Sequence, residues 1–90
     1  PVDIINKYPG RFELFHLKDM FTKQEPFFTT VGVTDFAPVG EGVIDFKSII
    51  ATKETAGMKY MIVEQDLTAD GDCFGAIQKS ITNLTTKILV

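Results

Sequence analysis

At 90 residues, with 44% hydrophobic and 23% charged side chains, the chain has the composition of an ordinary folded domain. It is too short for a complete barrel of eight strand–helix units, which takes roughly 250 residues. A net charge of −3 with the signs interspersed offers no basic surface for nucleic acid and no acidic tail. Apolar runs such as Ile88 to Val90 are too short to span a membrane, and Pro1 to Ile5 carry no signal-peptide pattern. Cys73 stands alone, which excludes an internal disulfide and a multi-cysteine zinc site. Just ahead of an apolar helical run, it is expected as a partly buried structural thiol.

Val2 to Tyr8 reads as the end of a helix stopped by Pro9-Gly10. Phe12 to Leu17 (Phe-Glu-Leu-Phe-His-Leu) reads as a strand, apolar enough on both faces to suit a buried parallel position. Alternation puts Phe12, Leu14, His16 and Lys18 on one face and Glu13, Phe15 and Leu17 on the other. From Phe21 to Val39 no period holds. Lys23-Gln24-Glu25-Pro26 reads as loop, Phe27-Phe28 as apolar residues in need of cover, and Phe36 to Val39 as room for a short strand. A connection this long in a small domain commonly carries function.

Gly40-Glu41-Gly42 is a turn; it lacks the Lys-Ser/Thr ending of a phosphate-binding P-loop, so turn geometry is the better account. Asp45 is placed to cap a helix with Phe46, Ile49 and Ile50 as its apolar stripe and Gly57 as its stop. Lys59 to Gln65 is the clearest strand, with Tyr60, Ile62 and Glu64 on one face and Met61, Val63 and Gln65 on the other. After the Asp70-Gly71-Asp72 turn, Asp72 caps a final helix striped by Phe74, Ile77, Ile81, Leu84 and Ile88. The sequon Asn83-Leu84-Thr85 falls inside that helix and is set aside. Strand, loop, helix, strand, helix is the order of parallel α/β construction, with too few strands to close a sheet.

Three segments carry a likeness: Phe15-His16-Leu17-Lys18-Asp19, Val39-Gly40-Glu41-Gly42-Val43-Ile44-Asp45-Phe46, and Val63-Glu64-Gln65-Asp66. With Ala56-Gly57-Met58-Lys59-Tyr60 as a helix-to-strand turn, they resemble in order and spacing the C-terminal part of a xylose isomerase-like TIM barrel. The resemblance covers nearly the whole chain and implies a segment from about the sixth strand to the eighth helix. On that reading residues 1–90 form a partial barrel, incomplete as a single copy.

The family gathers sugar and sugar phosphate isomerases and epimerases, with apurinic endonucleases as relatives. It implies a divalent metal (Mn, Mg, Co or Zn) at the C-terminal mouth of the intact barrel. His16 and Glu64 match two of its metal ligands, and Glu64 also matches a carboxylate that can act as base beside the reacting carbon. The other two ligands belong to strands that have no counterpart in this chain, so the chain alone is expected to hold metal poorly. Thr34-Asp35-Phe36-Ala37 lacks the histidine of the multi-zinc nucleases, which favours the sugar enzymes; where some epimerases carry an arginine, Thr22 stands.

Lys18 and Asp19 follow His16 at the expected mouth, where substrate contact and a local ion pair are both open readings. Asp66 lies one step beyond Glu64 and is placed to orient a ligand from behind. The expected partners are a sugar or sugar phosphate and the missing N-terminal part of the barrel, with self-association as the alternative for a non-catalytic piece. Nucleic acid is not expected, except on the rival reading of an apurinic endonuclease-like hydrolase or lyase.

Overall fold

The computed structural model describes residues 1–23 and 32–90, so Phe27 and Phe28, expected to need cover, lie outside the described residues. Helix α1 (Val2–Lys7) has Asp3 in its first turn and Lys7 in its last, each placed to favour the helix dipole, and buries Ile5. Strand β1 (Leu14–Leu17) follows. Strand β2 (Asp19–Met20) pairs antiparallel with β3 (Phe36–Ala37). β3 falls where a short strand was expected; β2, at two residues, is too short to show a period.

Asp45 caps α2 (Phe46–Ile50) as expected, accepting the Ser48 N–H at 3.0 Å. The single helix expected up to Gly57 is broken, and α3 (Lys53–Ala56) is a separate turn. Thr52 accounts for the break: its hydroxyl donates to the Ile49 carbonyl at 2.6 Å, and its N–H donates to the same oxygen at 3.0 Å. That carbonyl is thereby taken out of the α-helical ladder. Gly57, at φ 76°, supplies the left-handed stop of α3.

Strand β4 (Tyr60–Val63) lies parallel to β1 and directly hydrogen-bonded to it, with Leu14 beside Tyr60, Phe15 beside Met61, His16 beside Ile62 and Leu17 beside Val63. The Glu64 N–H carries the ladder one step further, donating to the Leu17 carbonyl at 2.9 Å. The two strands are therefore immediate neighbours, with no strand between them as a sixth and eighth would require.

On one face Phe15, Leu17, Met61 and Val63 pack against Val39, Phe46, Ile50 and Leu84, with Ile44 and Ile88 alongside. The other face carries Leu14, Tyr60 and Ile62 exposed, Tyr60 at 64%. Burial on both faces, expected from the apolar content of β1, thus holds for one face only. The helices cover a single side, and among the described residues nothing covers the other.

Asp72 caps α4 (Cys73–Asn83) through the Gly75 N–H at 2.9 Å, and a wider π turn over Leu84–Ile88 follows. The expected stripe is only partly the buried one. Phe74 is 91% exposed and Ile81 44%, while Ala76, Ser80, Asn83 and Leu84 turn inward. The cause is the buried backbone of Val39. Its N–H donates to Ser80 Oγ at 2.9 Å, and its carbonyl accepts from Asn83 Nδ2 at 3.0 Å. Buried peptide groups need such partners, so two polar side chains take the inner face that an apolar stripe would otherwise hold. Cys73, expected partly buried, is exposed: it sits in the first turn of α4, where its Sγ lies 3.8 Å from Thr68 Oγ1. Among the described residues no helix is long and apolar enough to cross a membrane.

Candidate functional site

Parallel register decides which polar residues meet. His16 is level with Ile62 on the exposed face, so Glu64 stands one pleat beyond that pair on the same face. Lys18 stands one pleat beyond His16, and Asp66 follows Glu64. These four residues converge just past the C-terminal ends of β1 and β4. His16 Nδ1 is 2.8 Å from Glu64 Oε2. The Lys18 ammonium donates to Glu64 Oε1 at 2.8 Å and to Asp66 Oδ2 at 2.8 Å. The Lys18 head also lies 6.0 Å from the centre of the Phe36 ring.

The ammonium of Lys18, seconded by His16, holds the Glu64 carboxyl down at about 2, against an ordinary 4.5. Lys18 is raised in turn, first by Asp66 and then by Glu64. A depressed carboxyl pKa contributes stability that is complete above the ordinary value and is lost as the pH falls from about 4.5 toward about 2. The side-chain carboxyl carbon of Glu64, followed by NMR, is therefore expected to keep its ionised shift from neutral pH to below 4.5 and to turn near 2. In Lys18→Met its midpoint rises. A wild-type midpoint at the ordinary value would mean that the ion pair does not persist in solution.

With Nδ1 facing a carboxylate, a neutral His16 donates through Nδ1–H and presents the lone pair of Nε2. One imidazole and one carboxylate, adjacent at the tips of neighbouring strands, are a suitable donor pair for a first-row divalent ion. Among the described residues no group of three or more His, Cys, Asp or Glu side chains could hold a metal. An apolar cavity of about 290 Å³ adjoins His16 and Lys18, lined in part by Ile5, Phe12, Phe15 and Phe46.

Asp19 is not brought to this cluster. It is 1% exposed, and its carboxylate accepts four backbone N–H groups. Met20 and Ile44 donate to Oδ1 at 2.9 and 3.2 Å, and Gly40 and Gly42 donate to Oδ2 at 3.0 Å each. The Gly40-Glu41-Gly42 turn is a nest of N–H groups wrapped around an internal anion. The turn reading of that segment stands: the Gly40 and Gly42 N–H groups go to Asp19 and the Glu41 N–H to the Pro38 carbonyl at 2.9 Å. As a candidate substrate contact Asp19 is thus turned inward, while Lys18 faces outward at the cluster.

Comparison of the chain with protein-family models, with curated proteins and with solved structures finds no match.

Proposed function

We propose that the chain contributes part of the active site of a divalent-metal sugar or sugar phosphate isomerase or epimerase, built on a barrel of the xylose isomerase-like type. The observation that carries this reading is the meeting of His16 with Glu64 at the C-terminal ends of adjacent parallel strands, the end at which such barrels gather their chemistry. In this reading β1 and β4, being directly paired, are taken as neighbouring strands of the barrel. The open face bearing Leu14, Tyr60 and Ile62 is then barrel interior awaiting the remaining strands, since parallel sheets are ordinarily covered on both sides.

In this reading His16 and Glu64 supply two ligands, and Asp66 braces Lys18 beside them. A bound divalent ion supplies electrophilic polarisation of the sugar carbonyl, which acidifies the neighbouring C–H. Glu64 serves in this reading both as a ligand and as the carboxylate beside the reacting carbon that can act as base.

The test is solvent deuterium incorporation into a panel of ketoses and their phosphates by the full-length protein, with and without Mn²⁺. His16→Ala is expected to lower metal-dependent exchange by more than about a hundredfold, beyond the 10–100-fold typical of losing a residue that only supports a ligand. Exchange that ignores both the metal and His16→Ala would sink the assignment.

A further inference from the structure

We infer that the chain associates with further copies of itself by strand addition, the outer edge of β1 in one copy pairing in parallel with the outer edge of β4 in the next. This goes beyond the metal reading and needs no ion.

The ladder decides which backbone groups are engaged within one copy. The Glu13 and Leu17 carbonyls accept from the Tyr60 and Glu64 N–H groups. Glu13, Phe15 and Leu17 therefore point at β4, and Tyr60, Ile62 and Glu64 point at β1. By alternation the peptide groups of Leu14 and His16 point out of the other edge of β1, and those of Met61 and Val63 out of the other edge of β4. Among the described residues no strand pairs with either of these edges. Such an edge is a template for a further strand.

The edge of β1 also has a seat for side chains. The adjoining cavity of about 290 Å³ is lined by four consecutive residues, Phe15 to Lys18, whose side chains alternate between faces, so it runs along the edge of the strand. Ile5 of α1 and Phe46 of α2 wall it on the helical side. A strand laid there in parallel turns alternate side chains toward it. The β4 strand has apolar ones to offer at Met61 and Val63, both half-buried in their own copy. Tyr60 and Ile62 of that strand then continue the exposed apolar face beside Leu14.

Charge selects which edges meet. The tip of β1 carries the basic His16 and Lys18, and the tip of β4 carries the acidic Glu64 and Asp66. Pairing β1 with the β4 of a second copy sets a basic tip between two acidic ones. Pairing β1 with β1, or β4 with β4, would set like charges side by side, which destabilises neighbouring strands. A head-to-tail contact of this kind closes into a ring when the rotation allows it. With two paired strands in each copy, four copies make the eight-stranded parallel barrel, helices outside and the apolar face within.

Native mass spectrometry and light scattering of the 90-residue chain over a concentration series test this. Wild type is expected at about four times the 10.0 kDa of one chain. Leu14→Pro and Met61→Pro each remove one outward N–H, on β1 and β4 respectively, and leave the bonds between β1 and β4 in place. Each variant alone is expected to be a monomer. Mixed, they are expected to form a 1:1 dimer, because the β4 edge of the first and the β1 edge of the second are both intact. Recovery of that dimer also shows that both variants fold. A wild-type chain that stays monomeric throughout would overturn this inference and leave the metal reading standing. Assembly that survives Met61→Pro unchanged would overturn it too, since the β4 edge would then not be the one in use.

Discussion

Asp19→Ala is expected to destabilise the chain by about 3 kcal/mol or more, because each buried donor left without an acceptor costs about 1–3 kcal/mol, and so to abolish stable folding. Four backbone N–H groups, from Met20, Gly40, Gly42 and Ile44, converge on that one carboxylate. Alanine leaves all four without an acceptor in a place that is 1% exposed at its centre. The helix-leading segment from Gly40 to Ile44 would lose its three bonds to the side chain that opens β2, and Phe46, a core residue, follows immediately. Asp19→Asn separates charge from shape. It keeps one acceptor oxygen, and its amide hydrogens point at other donors, so a loss of about 2–3 kcal/mol is expected from the weakened and unmade bonds. Urea denaturation of both variants checks this. A loss of about 0.5 kcal/mol or less for the alanine variant, the surface-substitution range, would show that the nest is not formed in solution.

The contrast between Lys18 and Asp19 shows how far the sequence reaches. In β1 the period of two was legible, and with it the face shared by His16 and Lys18. The same alternation, carried one step past Leu17, puts Asp19 on the core side with Phe15 and Leu17, so the signal for its burial was present. What could not be read was the donor set, because Gly40, Gly42 and Ile44 reach Asp19 across more than twenty residues of connection. The meeting of His16 and Glu64 needed a register in which β1 and β4 are direct neighbours, and two strand patterns do not state what lies between them.

In α4 the legible stripe, Phe74 to Ile81, competed with a second at helical spacing: Ala76, Ser80 and Asn83. Hydrophobicity favours the first. The second prevails because the buried peptide of Val39 has to be satisfied, and serine and asparagine have the hydrogen-bonding groups to do it.

Gly42→Ala is expected to cost about 3 kcal/mol or more, through overpacking together with the hydrogen bonds that the intrusion disturbs. A methyl group built on Gly42 runs into the Asp19 carboxylate and the Met20 carbonyl oxygen. Neither neighbour yields cheaply. The carboxylate is fixed by its other donors, and the Met20 carbonyl accepts the Val43 N–H at 2.8 Å, the next link of the same turn. Relief therefore requires the whole segment from Gly40 to Ile44 to move off Asp19. Gly71→Ala is the matched control, because Gly71 lies at φ 76° with nothing within 4 Å of the added carbon. Its cost is backbone strain alone, about 1–2 kcal/mol. Urea midpoints of the two variants, at equal m-values, separate a filled space from a strained dihedral. If Gly42→Ala loses no more than Gly71→Ala, close contact between the Gly40–Gly42 turn and Asp19 is not what requires glycine there.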